Sequence, residues 1–438
     1  MNNSHKRVYD PLYGVTKLSE EEYEILSAPE IQRLRYVRLC NINSMLITGA
    51  SEISRFEHVV GVLRLAKEWC EHRGKKRTKQ EHLNICAAAF LHDFQTGPFG
   101  HSLQYVLEDN ETEEEFIHDD LNHGTLSKYH QSIDINASFC GRPFRMANLL
   151  SSQWSSITGL IKGDGDLGPL ISGTLDLDNL DNVVRLAYHV GVADKSDACI
   201  ALELARDMNA KEGILEISRA SIPLVERWQG IRKRLYELLL LDWAEFSAKA
   251  MLTKAMELSV KHDLIGTDSW IKTDLELFGH LEKVSVGDAQ EVGEIIKRIR
   301  CGELYEPIFI GATQKISIYK EFSTLETKIM LEEKLKQKLS DLLALNIDLI
   351  IHPILDSKKT ERAISVKVRE SGKVEIIGKH SNKLLLGVFV PREIGGTPKF
   401  NETLKRVVKV TLEGFGAKNI QEIEDPISES ENVQLEFL

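Results

Sequence analysis

The sequence has no CxxC pair. Its six cysteines, Cys40, Cys70, Cys86, Cys140, Cys199 and Cys301, are scattered along the chain. That spacing argues against a zinc knuckle and a disulfide framework, and it fits a reducing compartment. Positive charge is not in excess either: 55 Lys plus Arg stand against 66 Asp plus Glu, for a net charge of -11. Broad, non-specific nucleic-acid binding needs a basic face and is not expected. The one basic run, GKKRTK at 74–79, reads as a solvated loop. No stretch approaches the ~18 apolar residues of a membrane span. The opening MNNSHKRVYDPLYG carries no apolar signal region. The cytoplasm is the expected location, with no membrane partner. Internal repeats and low-complexity tracts are also missing.

What is present is an ordinary globular composition, 42% hydrophobic and 28% charged over 438 residues, long enough for two or three domains and a sizeable core. Residues 1–18 read as an extended entry with turns. Ser19 and Glu22 form a capping box for a helix that Pro29 interrupts or restarts. RFEHVVGVLRLAKEWCEH spaces Phe56, Val59, Val60, Leu63 and Leu65 as one buried helical face. HLNICAAAFLHDF is almost wholly apolar and reads as a central helix. Residues 102–260 continue as helical segments, with loops at NASFCGRP and IKGDGDLGP. Later, EFSTLETKIMLEEKLKQKLSDLLALN predicts a long amphipathic helix. IDLIIHPIL, RAISVKVRE, KVEIIG and KLLLGVFVP then read as strands, and KFNETLKRVVKVTLEG as a closing helix. The expected class is mainly α, a helical core with a smaller C-terminal α+β domain. The expected divisions are an N-terminal segment packing on the core (1–50), the core (51–200), a helical continuation (201–315), the α+β domain (316–425) and a mobile acidic tail (426–438).

Three polar clusters interrupt these apolar helices. The first is Arg55-Phe56-Glu57-His58. The second is His92-Asp93, followed after a Gly-Pro turn by His101. The third is Asp176, Asp178 and Asp181 on the first turn of a helix that continues through Arg185 and His189. Burying such groups unpaired costs several kcal/mol. His58, His92, Asp93 and Asp178 together make a ligand set for a divalent ion, among Mn, Fe, Mg, Zn, Co and Ni, with positions left open for water and a phosphate oxygen. Taken singly, each cluster has a blander reading: a satisfied core histidine, a hydrogen-bonded His-Asp pair, and an N-terminal helix cap. Trp154, Trp228, Trp243 and Trp270 read as core rather than as stacking platforms.

RFEHVVGV, LHDFQTGPFGHSL and LDLDNLDNVVRLAYHVGV, in this order and after QRLRYVRL, resemble the HD-domain phosphohydrolases, and within them the deoxynucleoside-triphosphate triphosphohydrolases. The resemblance is clear over residues 8–200 and weaker beyond. It implies a helical fold around a divalent metal held by His58, His92, Asp93 and Asp178, and hydrolysis of dNTPs to deoxynucleoside and inorganic triphosphate. It implies His101 near the scissile phosphate and His118, steadied by Asp119, as proton donor to the leaving oxygen, with His123 the competing assignment. Arg55 would contact substrate phosphates, or else pair with Glu57 or a carboxylate of the site. Lys195 and His189 are further candidates for the pocket. A homo-oligomer regulated by nucleotides bound between subunits is also implied; a role in dNTP control or in starving an invading phage of precursors is a hypothesis built on that activity.

The chain departs from the family pattern on the substrate side. The family's HDxGHxPFxH has Gln95 and Thr96 in place of Gly and His. Its DxDKxDY has Asn179 for the Lys that touches phosphate and Asn182 for the Tyr near the sugar. Leu39 replaces the Gln that helps read the sugar. The metal ligands are intact while the substrate contacts Leu39, Asn179 and Asn182 are changed. A nucleotidase or another nucleotide phosphohydrolase, and a nucleotide sensor whose catalysis has decayed, are therefore the alternatives.

Overall fold

The computed structural model describes residues 6–40, 53–100, 102–103, 106, 138–344, 346–395 and 402–423. The entry is a β-hairpin, Lys6–Asp10 with Gly14–Leu18. The capping box forms as the sequence predicts: the Ser19 hydroxyl accepts from the Glu22 amide, and Glu22 reaches back to the Ser19 amide. Helix Glu20–Leu26 ends, and Pro29 opens a second short helix, Pro29–Arg33, at the position where its missing N–H costs nothing.

The centre is an antiparallel pair. Helix Arg55–His72 is capped by Ser54, and helix Lys79–Leu91 by a Thr78–Glu81 box. The connection between them is short. His58 lies about as far before it as His92 lies after it, so the hairpin brings the two level. Ala87 to Leu91 are buried on every side, which explains why Lys79–Leu91 has no polar face over its second half. Helices Leu177–His189, Ala198–Asp207 and Ile222–Leu241 complete a first core, in which Val59, Phe90, Leu180 and Trp228 are sealed.

A second core gathers helices Trp243–Lys261, Asp274–Val284 and Gln290–Cys301 around Phe246, Met251 and Trp270. Trp228 and Trp270 are buried as expected, whereas Trp243 is 37% exposed, because it opens its helix on the solvent side. A third core packs helices Leu325–Leu343 and Glu402–Gly414 on a four-stranded antiparallel sheet. The spatial order of that sheet is Gln421–Glu422, Glu306–Thr313, Asn382–Val390, Ile350–Ser357. Two buried ion pairs, Lys254–Glu332 at 2.6 Å and Lys328–Glu257, tie this part to helix Trp243–Lys261.

Four expectations need correction. Strand Glu306–Thr313 joins the C-terminal sheet although its residues precede 315, where the helical body was expected to end. A hairpin, Asn209–Lys211 with Ile214–Ile217, interrupts the helical run expected over 102–260, as does the small pair Ser138–Phe139 with Arg142–Pro143. The expected C-terminal unit is shared between two sheets. Strands Ile364–Val368 and Val374–Ile377 leave the C-terminal sheet and extend the 209–217 hairpin, through a parallel pairing with Ile214–Ile217. Ile364, Val366 and Ile377 thereby enter the first core. The predicted long helix is also broken, at Thr324, which caps Leu325–Leu343. All six cysteines are free, and no helix among the described residues is long and apolar enough to cross a membrane.

Candidate metal centre

His58 sits in the first turn of Arg55–His72, His92 caps the C-terminal end of Lys79–Leu91, Asp93 follows it, and Asp178 sits in the first turn of Leu177–His189. Two helix N-termini and one C-terminus thus meet at one point. His58 Nε2 is 3.1 Å from His92 Nε2 and 2.9 Å from Asp178 Oδ1. His92 Nε2 is 3.6 Å from the same Asp178 oxygen, and both imidazoles lie 3.8 Å from Asp93 Oδ2. His58, His92 and Asp93 are buried and their ligand atoms are mutually within reach of one ion.

The outer contacts fix which ring atoms face inward. His58 Nδ1 donates to Asp181 Oδ2 at 2.7 Å, and His92 Nδ1 donates to the Ala89 carbonyl at 2.9 Å. Each ring therefore holds a hydrogen on Nδ1, and in the neutral form both Nε2 atoms are lone pairs pointing at each other. A metal ion between them, or a proton on one ring, makes that arrangement favourable. The residues fit a divalent ion: metal–nitrogen bonds of ~2.1 Å place neighbouring donors about 3.0–3.4 Å apart, and the donor atoms here stand 2.9 to 3.8 Å from one another. The electrostatics agree. Burial alone would push the His92 imidazole down, but the charge and hydrogen bond of Asp178, then Asp93, carry it up to about 10. Burial opposes ionisation of Asp93 and Asp178 too, yet Arg55 and the imidazoles hold Asp93, and His92 and His58 hold Asp178, below the usual carboxylate range. The cluster is built to receive positive charge.

The three aspartates of the LDLDNLD run do three different things. Asp176 is the helix cap, accepting from the amides of Gly173 and Asn179. Asp178 faces the histidines. Asp181 is fully buried, orients His58 and is gripped by Arg185 through two bonds of 2.9 and 3.0 Å. Arg185, also fully buried, further bonds Glu57 at 2.9 Å and Asp10 of the N-terminal hairpin at 2.7 Å. His189 completes the chain by contacting Glu57 at 3.0 Å. The chain approaches closely here: a Cβ at Gly61 would stand 2.1 Å from Asp181 and 2.2 Å from Arg185. Gly61→Ala is therefore expected to cost about 3 kcal/mol, by overpacking and by prising apart a buried ion pair. Gly279→Ala, on an exposed and open helical position, should be neutral or stabilising by up to ~1 kcal/mol. Urea midpoints of the two variants make the comparison.

Of the two readings left open for Arg55, the structure has the ion pair: Nη1 lies 2.6 Å from Asp93 Oδ2, and Nη2 reaches the Leu39 carbonyl at 3.4 Å. The guanidinium is 5% exposed and its Nε has no hydrogen-bond partner among the described residues. Thr96, at the position where the family has a histidine, donates to the other Asp93 oxygen at 2.9 Å. Asn179 turns back on Asp176 at 3.0 Å and receives Arg362 at 3.3 Å. Leu39 is buried, and the Asn182 side-chain oxygen is buried without a partner among the described residues. Lys195 opens a short 3-10 turn, Lys195–Asp197, capped by Asp194. His101, His118, Asp119 and His123 lie outside the described residues.

Sequence reading did not single out Thr96 as a support for Asp93, nor Arg362, nor Tyr236. The Tyr236 phenol is pushed up by burial, then modulated by Arg232, Arg362 and the Asp178 charge. The only sequence signal for Arg362 is a charge between turn and strand, and its partner lies 183 positions away.

A helical hairpin thus brings two inward imidazoles and an adjacent carboxylate together, with Asp178 of a third helix beside them, a cluster that could hold a metal ion. Residues 55–133 match the family model of the HD domain. An uncharacterised Bacillus subtilis protein, YwfO, is 25% identical over 260 residues, 58% of this chain and 56% of its own. Human deoxynucleoside triphosphate triphosphohydrolase SAMHD1 is 33% identical over 101 residues, 22% of this chain and 16% of its own. The chain thus spans about half the length, or less, of these curated relatives. A crystal structure of a Bacteroides thetaiotaomicron phosphohydrolase shares the fold, with a TM-score of 0.64 at 17% identity over 88% of this chain and 99% of that one. The match to the HD domain covers residues 55–133, and the likeness to a phosphohydrolase structure extends the shared fold over most of the chain.

Proposed function

We propose that this protein is a metal-dependent phosphohydrolase that cleaves dNTPs to deoxynucleoside and inorganic triphosphate. The observation that carries it is the pair of Nε2 atoms 3.1 Å apart, each with its Nδ1 tied off. His58, His92, Asp93 and Asp178 would hold the ion. A divalent ion at that point supplies Lewis acidity, activating water and polarising a phosphoryl oxygen. Arg55 and Thr96 each hold one oxygen of Asp93 and so fix its direction. Arg55 also adds positive charge beside the place where negative charge builds up. Asp181, braced by Arg185, keeps the His58 ring turned. His101, and His118 steadied by Asp119, are the candidates to protonate the departing 5′ oxygen. Leu39, Asn179 and Asn182 would meet the nucleotide. The triphosphohydrolase part of this reading is supported by likeness to a named triphosphohydrolase; a homo-oligomer and an activating nucleotide belong to it only as the family resemblance of the sequence implies.

One observation favours a second reading, an HD-type phosphohydrolase acting on a monophosphate or signalling nucleotide. Thr96 and Asn179 are spent on Asp93 and Asp176 and bring no cation to a triphosphate tail.

Purified protein incubated with each dNTP and NTP, with Mn or Mg, decides between them when products are separated by chromatography. Nucleoside plus intact triphosphate is expected, and it is expected to fall by at least about a hundredfold in Asp93→Ala, because a ligand and the partner of Arg55 are lost together. Orthophosphate from a monophosphate would give the second reading. No turnover on any nucleotide by a metal-loaded protein would leave a sensor.

A further inference from the structure

Outside the metal centre, a cavity of about 330 Å³ opens between helix Trp243–Lys261, strand Ile350–Ser357 and the residues that follow the GPFG turn. Lys249, Lys359, His352 and Ser102 border it. Its chemistry is unbalanced. Lys328, also on the wall, is neutralised by Glu257, but Lys249 makes no hydrogen bond or ion pair among the described residues. Burial, and then the nearby charge of Lys359, pull the Lys249 ammonium down to about 7. The same two causes, burial first and then Lys328 and Lys249, keep His352 well below its ordinary value. Two polar atoms on the wall are buried without a hydrogen-bond partner among the described residues, Ser102 Oγ and His352 Nε2. Ser102 is 3% exposed and His352 6%.

A half-buried ammonium and two buried polar atoms, none of them partnered among the described residues, leave hydrogen-bonding groups unmet on this wall. They come from three separate elements and surround a void, so no rearrangement of one side chain satisfies them. A species that would satisfy all of them is small, anionic and rich in acceptor oxygens spread in several directions. A carboxylate offers two oxygens in one plane. A phosphate group offers three or more in a tetrahedral array and carries the charge that two lysines can balance. The volume suits a small phosphate-bearing molecule.

We propose that this cavity is an anion site, distinct from the metal centre, that binds a phosphate-bearing small molecule through Lys249, with Lys359, His352 and Ser102 completing the shell. The proposal holds whether or not the metal centre hydrolyses nucleotides. The ligand could be a free phosphate compound or a second phosphate on the substrate, and the two sources share this chemistry.

Calorimetric titration of the full chain with sodium phosphate and with tripolyphosphate tests it. Wild type is expected to bind at least one of them. Lys249→Met should weaken binding by at least about tenfold, the worth of a charge-assisted hydrogen bond, and Lys249→Arg should restore most of it. Ser102→Ala should weaken binding less, and provides a second reading should Lys249→Met fold poorly. Asp93→Ala, which disables the metal centre, should leave the affinity within about twofold. Binding that is equal in wild type and Lys249→Met, binding lost only in Asp93→Ala, or binding of neither probe by wild type would overturn the proposal. If the ligand is part of the substrate, Lys249→Met raises KM at unchanged kcat. If it is a separate molecule, KM is unmoved and only the phosphate isotherm shifts.

Discussion

Arg185→Met is expected to destabilise the folded chain by about 4 kcal/mol and to shift its urea midpoint accordingly. The reason is the number of charges that one buried side chain balances. Arg185 is fully buried and meets Asp181, Glu57 and Asp10, and the side chains of Asp10 and Asp181 are themselves sealed from solvent. Methionine keeps most of the volume but leaves two buried carboxylates facing each other with no cation. Breaking a buried pair from one side costs more than the pair was worth, because the partner stays behind uncompensated. The pH dependence gives a second signature. Burial already raises the Asp10 carboxyl above its ordinary value, with Arg185 acting against that rise. Without the guanidinium its folded pKa climbs further above the unfolded one. A carboxyl raised in this way binds its proton better in the folded state, so its contribution is present at low pH and lost as pH rises through the folded pKa. The variant should therefore recover part of its stability as pH falls through that raised folded pKa, and Arg185→Met with Asp10→Asn should be more stable than Arg185→Met alone. A single variant as stable as wild type would show that the network carries no weight.

The same network explains what could be read in the sequence and what could not. His58, His92, Asp93 and Asp178 are legible because polar residues at the ends of apolar helices have few uses, and because a helical hairpin with a short link brings two such ends level. The capping box at Ser19 and the restart at Pro29 are local signals, and local signals hold. Long-range pairing is what fails. EPIFIGAT is a good strand by composition, but nothing near it in sequence says that its neighbour is Asn382–Val390. NAKEGILEI is a hairpin whose sheet is completed by strands some 150 residues later. The roles of the three aspartates were similarly hidden. Spacing put all of them on one turn, but only packing decides which one caps, which faces the histidines and which orients a ring. Lys249 sits in an apolar helix and looks, in sequence, like any snorkelling lysine. Its meaning comes from Lys359, His352 and Ser102, which arrive from elsewhere in the chain.

Asp181→Asn separates orientation from ligation. Asp181 does not face the inward cluster. It accepts the His58 Nδ1 hydrogen and the Arg185 Nε hydrogen on one oxygen and Arg185 Nη2 on the other. An amide can still present one oxygen to His58 Nδ1, but its NH2 then meets a guanidinium nitrogen, two donors face to face. The ring loses its negative neighbour and part of its hold, so His58 Nε2 becomes both a weaker base and a less well-aimed one. Removing such an outer partner lowers metal affinity by roughly 10–100-fold, and that is the loss expected for Mn in a calorimetric titration of Asp181→Asn. Asp178→Asn, which replaces an inward oxygen directly, should lose more. Stability in the presence of metal should follow, since an ion that binds only the folded chain stabilises it in proportion to RT ln(1 + [L]/Kd). A hundredfold weaker site gives up about 2.7 kcal/mol of that protection at saturating metal, while in chelator the gap between Asp181→Asn and wild type should be smaller. Equal Mn affinity in wild type and Asp181→Asn would mean that packing alone holds the His58 ring, and that the Asp181–Arg185 pair serves only the fold.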